Sequence, residues 1–259
     1  SYVPAIETVG GKALPAQLRF PGYAPDWAQV AALITPKTRM IIVNSPHNPT
    51  GSLLTAVDLE KLAEIVRGGD IVVLSDEVYE HIVFDGQRHA SLCGHPELAA
   101  RSIVVSSFGK TYHITGWKIG YVVGPAGLMA EFRKVHQFNV FTVHTPSQLA
   151  LADYMQDASR HLGLAAFYQE KRDFFRSLLA DTPFELLPCR GTYFQLAGYA
   201  RISSLPDREF AEWMTREAGV AVIPVSVFRA DGRDDRVVRF CFAKKEETLA
   251  AAGERLRRL

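Results

Sequence analysis

The first half of the chain repeats one pattern, in which a short run of aliphatic residues ends abruptly in a polar cluster. The runs lie at residues 39–43, 71–74, 102–105 and 120–123. Apolar and polar residues do not alternate in them, so they predict strands covered on both faces, as in a parallel sheet with helical crossovers. A helix is predicted between the first two runs, with Thr55 as its N-cap and Asp58 three residues later. The pattern therefore predicts an α/β fold with a mostly parallel sheet.

The second half of the chain has a different character. Helices are predicted at residues 128–138, 146–154 and 165–179, and then strands and helices alternate irregularly. The later strands are predicted at 184–188, 192–196, 221–223 and 237–242, with a helix around 207–217 and another at the end of the chain. We therefore predict a large α/β domain over residues 1–155 and a smaller α+β domain over residues 156–259.

Composition excludes several classes of protein. The 259 residues include 29 basic and 28 acidic side chains, so the formal charge is +1 and no polycationic nucleic-acid surface is predicted. No apolar run approaches the roughly 18 residues that a membrane span requires. The three cysteines are odd in number and widely spaced, which favours reduced thiols over a disulfide framework. We expect a cytoplasmic protein with neither nucleic-acid nor membrane partners.

Polar side chains collect where the predicted strands end. Because ligands bind at the carboxyl ends of parallel strands, these side chains are expected to converge on one crevice. Taken singly, each has a structural explanation: a turn residue, a helix cap, a packed phenol or a surface amine. Their occurrence at successive strand ends favours a binding site. The residues are Asn44, Asn48, Asp76, Tyr79, Ser107 and Lys110.

Several other residues are also candidates for binding roles. Arg239 interrupts an apolar segment, and a buried guanidinium there needs an anionic partner. The nearby histidines at 81, 89 and 95 lack the spacing of a metal site, and no glycine-rich nucleotide motif is present. Four aromatic residues of the second half could line an apolar pocket, although packing is the simpler expectation: Phe138, Phe141, Tyr193 and Phe228.

Four segments in a fixed order resemble a known family. They are NSPHNPTG, SDEVYEH, SSFGKTYHITGWKIGY and VVRFCFAKK. The chain resembles, from Ser1 to Leu259, the fold type I aminotransferases that use pyridoxal 5'-phosphate (PLP). Within them it is similar to the class I subgroup that contains the methionine, kynurenine and glutamine aminotransferases. The resemblance implies a PLP-transferase fold, a homodimer, and amino acids and 2-oxo acids as substrates.

The resemblance also implies the catalytic residues. Lys110 would hold PLP as a Schiff base and later move a proton at the substrate. Asp76 would pair with the pyridine nitrogen, and Tyr79 with the 3'-oxygen of the cofactor. Asn48 would share that oxygen and reach the substrate carboxylate, with Asn44 supporting it. The peptide bond between Asn48 and Pro49 is expected to be cis.

Two further subsites follow from the same resemblance. Ser107 and Lys118 would bind the cofactor phosphate, because a hydroxyl and a cation suit a dianion. The commonest class I pattern has arginine at the Lys118 position, and lysine offers a point charge in place of a two-pronged donor. Arg239 would bind the α-carboxylate of the substrate through two parallel hydrogen bonds.

The resemblance leaves three functions open. One is PLP-dependent transamination of an amino acid with an uncharged side chain, such as methionine, glutamine, kynurenine or an aromatic amino acid. The second is β-elimination from cysteine conjugates on the same fold. The third is a non-catalytic regulator module. The family pattern normally extends before Ser1, so we expect either a piece of a longer polypeptide or a truncated relative.

Overall fold

The computed structural model describes residues 2–259, and Ser1 lies outside the described part. Within that part the strands form two four-stranded sheets. The strands of the first sheet are β1 (Met40–Asn44), β2 (Val72–Asp76), β3 (Ser102–Ser107) and β4 (Gly120–Val123). Those of the second sheet are β5 (Glu185–Leu186), β6 (Phe194–Gly198), β7 (Ile223–Pro224) and β8 (Val237–Cys241).

The first sheet has the order β1-β2-β3-β4, and its first three strands are parallel. This confirms the predicted α/β fold with a mostly parallel sheet. The fourth strand runs antiparallel to β3, with Val104 opposite Val123. The connection, residues 108–119, holds only one short helical turn and one 3₁₀ turn. It contains no helix long enough to cross back over the sheet, as a parallel neighbour usually requires, and the chain reverses direction.

The strands of the first sheet are less covered than the sequence predicts. Burial alternates along β2 and β3, so that one face of the sheet is buried and the other is only half-covered. Within the described residues, α6 (Ala126–Asn139) buries no side chain and α7 (Thr145–Tyr154) buries only Leu151. The expectation of strands buried on both faces was therefore wrong for this chain.

The predicted helices are all present, and five short helices that were not predicted accompany them. The remaining helices are α1 (Tyr2–Thr8), α2 (Trp27–Ala32), α3 (Ala56–Val66), α4 (Pro96–Ala99), α5 (Phe108–Thr111), α8 (Ser159–Leu162), α9 (Leu164–Leu179), α10 (Asp207–Trp213) and α11 (Glu246–Leu256). The capping box of α3 is confirmed: Asp58 N donates to Thr55 Oγ1 at 3.2 Å, and Thr55 N donates to Asp58 Oδ2 at 2.7 Å. No helix in residues 2–259 is both long and apolar enough to cross a bilayer.

The second sheet is antiparallel throughout, in the order β5-β6-β8-β7. It packs with α9, α10 and α11 around a large core that also contains Tyr79, Ile82 and Phe84. The segment that follows β2 therefore leaves the first sheet and enters the core of the second. This packing places the end of β2 between the two sheets. We keep the domain boundary after residue 155 as a proposal, supported by the separation of the two sheets along the chain.

Candidate functional site

Asp76 ends β2, and its carboxylate accepts two hydrogen bonds. The hydroxyl of Tyr2, in the first turn of α1, donates to Oδ2 at 2.5 Å. The backbone N–H of Val78 donates to Oδ1 at 3.3 Å. Tyr2 lies 74 residues away in sequence, and no local signal pointed to it. The carboxylate is thus oriented from both sides at the carboxyl end of the sheet.

Asn44 and Asn48 lie beside Asp76, at the end of β1. The Asn44 side chain donates from Nδ2 to the backbone oxygen of Asp76 at 2.8 Å. Its Oδ1 accepts from the backbone N–H of Asn48 at 3.0 Å. The bond between Asn48 and Pro49 is cis, as predicted. Asn44 therefore links the loop that carries Asn48 to the end of β2.

Arg239 on β8 joins the second sheet to this cluster. Its Nη1 donates to Asn48 Oδ1 at 2.6 Å. The guanidinium lies 3.9 Å from the ring centre of Phe194 and 5.3 Å from that of Phe228. Its Nε is buried and has no partner among the described residues, and burial lowers the pKa of Arg239. A half-buried cation without a carboxylate partner in residues 2–259 suits an anionic ligand.

Tyr79 is almost fully buried next to Arg239. Its ring meets the edges of Tyr193 at 5.2 Å and Phe194 at 6.1 Å. Burial raises the pKa of Tyr79, and the neighbouring Tyr193 raises it further. The Tyr79 hydroxyl therefore stays protonated at physiological pH. Phe194 touches both Tyr79 and Arg239, so it links the two predicted site residues.

A small cavity lies where β3 ends. Its volume is about 250 Å³, and its described lining contains two lysines and no acidic side chain. Ser107 Oγ accepts from the N–H of Gly109 at 3.2 Å and so caps the turn that carries Lys110. Lys118 has φ +56°, in the left-handed region, directly after a 3₁₀ turn. The lining residues are Ser107, Lys110, Thr115, Lys118, Ile119 and Gly120.

Two glycines allow the backbone to close around this cavity. A Cβ on Gly120 would lie 2.4 Å from the backbone oxygen of Ser106. A Cβ on Gly109 would lie 3.0 Å from Thr115 Cα. Since backbone atoms cannot yield as side-chain ends do, larger residues at these positions would push the walls apart.

The predicted site residues thus form two groups at one edge of the sheet. Direct contacts join Asn44, Asn48, Asp76 and Arg239, and the ring of Phe194 connects Tyr79 to them. The other group, Ser107, Lys110 and Lys118, shares the cavity. β2 and β3 are parallel neighbours, so both groups lie at adjacent strand ends. Sequence reasoning missed Tyr2, Thr115 and Phe194; only Thr115 lies inside a motif that was singled out.

The four aromatic residues divide into two kinds. Phe138 and Phe141 are 88% and 79% exposed, so the expectation that they pack was wrong for both. Helix periodicity cannot say whether a neighbouring element covers an apolar face. Tyr193 packs against Tyr79, and Phe228 faces the Arg239 guanidinium.

The histidines contact other side chains or cap a helix. His89 Nε2 lies 2.7 Å from Glu77, His95 caps α4, and the His81 ring lies 5.0 Å from that of His161. In residues 2–259 no group of three or more His, Cys, Asp or Glu side chains is arranged to hold a metal ion. His113 Nδ1 lies 3.3 Å from the hydroxyl of Tyr168. It therefore ties the loop after Lys110 to α9.

His47 lies in the loop that carries Asn48. Its burial predicts that the free energy of unfolding decreases in acid. Its Nδ1 lies 2.7 Å from Thr50 Oγ1, and burial lowers its pKa to about 4. Between pH 6.5 and 4 the unfolded chain binds a proton at this residue and the folded chain does not. Stability is therefore lost as the pH falls through this window. From pH 7 to pH 5 we expect His47 to lower the free energy of unfolding by about 1–2 kcal/mol.

Urea unfolding of the wild type and His47→Gln at both pH values measures this effect. Glutamine keeps a hydrogen-bonding group next to Thr50, and His144→Gln, at the exposed start of α7, is the control for replacing a histidine. The stability difference between wild type and His47→Gln should shrink at pH 5. An identical difference at pH 7 and pH 5 would contradict the assignment.

Known proteins resemble this chain along almost its whole length. The model of the family described as aminotransferase class I and II matches residues 1–256. A methionine aminotransferase from Escherichia coli (strain K12) is 51% identical over 260 residues, which cover all of this chain and 67% of the relative. Kynurenine–oxoglutarate transaminase 1 from Rattus norvegicus is 34% identical over 290 residues, which cover 99% of this chain and 69% of the relative.

Solved structures of aminotransferases also resemble this chain. A methionine aminotransferase from Escherichia coli superposes with a TM-score of 0.98 at 50% identity, over 100% of this chain and 68% of that chain. The N-succinyldiaminopimelate aminotransferase from Mycobacterium tuberculosis superposes with a TM-score of 0.91 at 38% identity, over 99% of this chain and 68% of that chain. The chain therefore spans about two thirds of the length of each of these proteins.

Proposed function

The chain belongs to the class I and II aminotransferase family, and on this premise we propose that it transfers the amino group of amino acids with uncharged side chains to a 2-oxo acid. Enzymes of this family depend on PLP. One observation carries the proposal: Arg239 is held by Asn48 and two aromatic rings, with no carboxylate partner in the described chain. Such a group suits the carboxylate that every amino acid and 2-oxo acid carries. The names of the relatives favour methionine or kynurenine as the class of substrate.

The side chains at the site fit PLP. The cavity with two lysines and the Ser107 hydroxyl suits a phosphate dianion, which Ser107 and Lys118 would bind. Asp76 would face the pyridine nitrogen, and Tyr79 and Asn48 the 3'-oxygen. Lys110, in the same cavity, would hold the cofactor. When bound, PLP supplies an electron sink for the carbanion that forms at the substrate α-carbon.

The chain's own residues would perform the remaining tasks. Arg239 binds the α-carboxylate, and Asn48 holds the guanidinium in place, so the substrate is fixed before any bond breaks. The Lys110 amine would remove the proton at the α-carbon of the amino donor and, in the second half of the transfer, would deliver a proton to the α-carbon of the amino acid that forms from the 2-oxo acid. The negative charge of Asp76 stabilises a protonated pyridine nitrogen next to it.

A substrate panel tests this function. The purified protein with PLP is incubated with methionine, glutamine, phenylalanine, kynurenine or aspartate and a 2-oxo acid acceptor, and the new 2-oxo acid is quantified. We expect turnover of one or more uncharged substrates and the lowest rate with aspartate, whose second carboxylate has no cation assigned to it. Preference for aspartate, or PLP binding without any turnover, would contradict the proposal.

The same assay separates the alternatives. A cysteine-conjugate β-lyase would release pyruvate and ammonia in the absence of an acceptor. A non-catalytic regulator module would bind PLP without turning over any amino acid. The relatives named above are enzymes, which favours catalysis over the regulator.

We further propose that the protein forms a homodimer. Its support is the exposed apolar surface of α6, where Val135 is 67% and Phe138 88% exposed, three residues apart on one face. Sedimentation of the purified protein measures the oligomeric state, and a monomer at micromolar concentration would exclude a stable dimer. We also propose a cytoplasmic location, because the three cysteines are all free. Cell fractionation tests it.

A further inference from the structure

A tyrosine from α1 holds the carboxylate at the end of β2. The distance of 2.5 Å between Tyr2 Oη and Asp76 Oδ2 is at the short end for hydrogen bonds to an ionised acceptor. Such bonds are about twice as strong as those between neutral groups. The contact is made across 74 residues of sequence, so it exists only because the fold brings α1 to the sheet edge.

The surroundings keep Tyr2 a donor. The residue is 39% exposed, and burial of the phenol raises its pKa, with a further increase from the hydrogen bond to Asp76. The hydroxyl is therefore protonated throughout the physiological range. A neutral phenol next to the carboxylate can only donate to it.

The remaining contacts of Asp76 leave room for a ligand. Oδ1 accepts one longer bond, from the Val78 N–H at 3.3 Å. Within residues 2–259, Tyr2 is the only side chain that donates to this carboxylate. Each carboxylate oxygen can accept two hydrogen bonds, so each retains one free acceptor position. Tyr2 can therefore orient Asp76 while another donor binds it.

We propose that Tyr2 is a positioning residue that orients the Asp76 carboxylate toward the protonated ring nitrogen of PLP. The inference rests on the proposed function of Asp76. It differs from a purely structural role, in which Tyr2 would tether α1 and leave cofactor affinity unchanged. It also differs from competition, in which the hydroxyl would occupy the acceptor position that the ring nitrogen needs. These three possibilities predict three different effects of removing the hydroxyl.

A double-mutant cycle on PLP affinity tests the inference. Equilibrium dialysis measures the dissociation constant of PLP for wild type, Tyr2→Phe, Asp76→Asn and the double variant. We expect Tyr2→Phe to weaken binding about tenfold, the effect of losing one hydrogen bond to a charged group. In the Asp76→Asn background the same change should have no further effect, because Tyr2 acts through Asp76. Tyr199→Phe is the control, since it removes a tyrosine hydrogen bond of 2.9 Å in the core of the second sheet.

A cofactor-free measurement checks the contact itself. In protein labelled with 3-fluorotyrosine, the fluorine resonance of Tyr2 is identified by its absence in Tyr2→Phe, and its chemical shift is recorded at neutral pH. Asp76→Asn should change this chemical shift, because the phenol loses its charged hydrogen-bond acceptor. Folding of each variant is verified by urea unfolding.

The outcomes separate this inference from the proposed function. If the wild type itself binds no PLP, the proposed function fails and the inference fails with it. If the wild type binds PLP and Tyr2→Phe binds it equally or more tightly, only the inference is overturned. An unchanged fluorine chemical shift of Tyr2 in Asp76→Asn overturns it as well.

Discussion

Lys110→Ala is expected to abolish transamination, with a loss of about 10⁴-fold or more in turnover. Among the described residues that line the cavity, only Lys110 and Lys118 carry a nucleophilic nitrogen. Its removal would eliminate both the attachment of the cofactor and the proton transfer at the substrate α-carbon. Turnover of methionine at saturating acceptor is the measurement, together with the visible absorption of lysine-bound PLP, which should disappear.

Two further variants show whether the effect belongs to the amine. Lys110→Arg keeps a positive charge, but its guanidinium stays protonated and cannot accept the α-proton, so it should be as inactive as alanine. Lys61→Ala removes an exposed lysine paired with Glu64 on α3 and should keep wild-type turnover. Substantial activity in either Lys110 variant would contradict the assigned role.

Replacing Arg239 is expected to produce the second-largest effect. We expect Arg239→Ala to lower kcat/KM for methionine by about 10²–10³-fold, since truncating one partner of a buried charge pair costs about 2–5 kcal/mol. Arg239→Lys should recover only part of this loss. Lysine lacks the planar fork that pairs with a carboxylate and that lies 3.9 Å from the Phe194 ring centre.

A substrate without the carboxylate provides the decisive control. The amine 3-(methylsulfanyl)propylamine has the side chain and amino group of methionine and no α-carboxylate. If Arg239 binds that carboxylate, the wild type should strongly prefer methionine and Arg239→Ala should lose most of the preference. Arg216→Lys, at an exposed ion pair with Glu212, is the matched control. An undiminished preference for methionine in Arg239→Ala would assign carboxylate binding to another group.

The confirmed sequence predictions concern local chemistry. Thr55 and Asp58 cap α3 because both partners lie within four residues, so the sequence contains the whole interaction. Asp76 ends β2 and Ser107 ends β3, as expected. The cis bond at Asn48–Pro49, which the family resemblance implied, is also present.

The predictions that failed concern what covers an element. One face of β2 and β3 is only half-covered, although the apolar composition of these strands predicts burial on both faces. Phe138 lies on an amphipathic helix, yet it is 88% exposed because no described element packs against that face. In both cases the deciding contact lies with a distant part of the chain.

The sequence by itself determined the elements, their order and the chemical groups at the strand ends, because each depends on neighbours a few residues apart. The tertiary structure decided how those groups meet. It brings Tyr2 to Asp76 across 74 residues and Arg239 to Asn48 across 191. It also surrounds the Arg239 guanidinium with Phe194 and Phe228. Such contacts arise when the fold brings distant segments of the chain together, and no spacing within one segment contains that information.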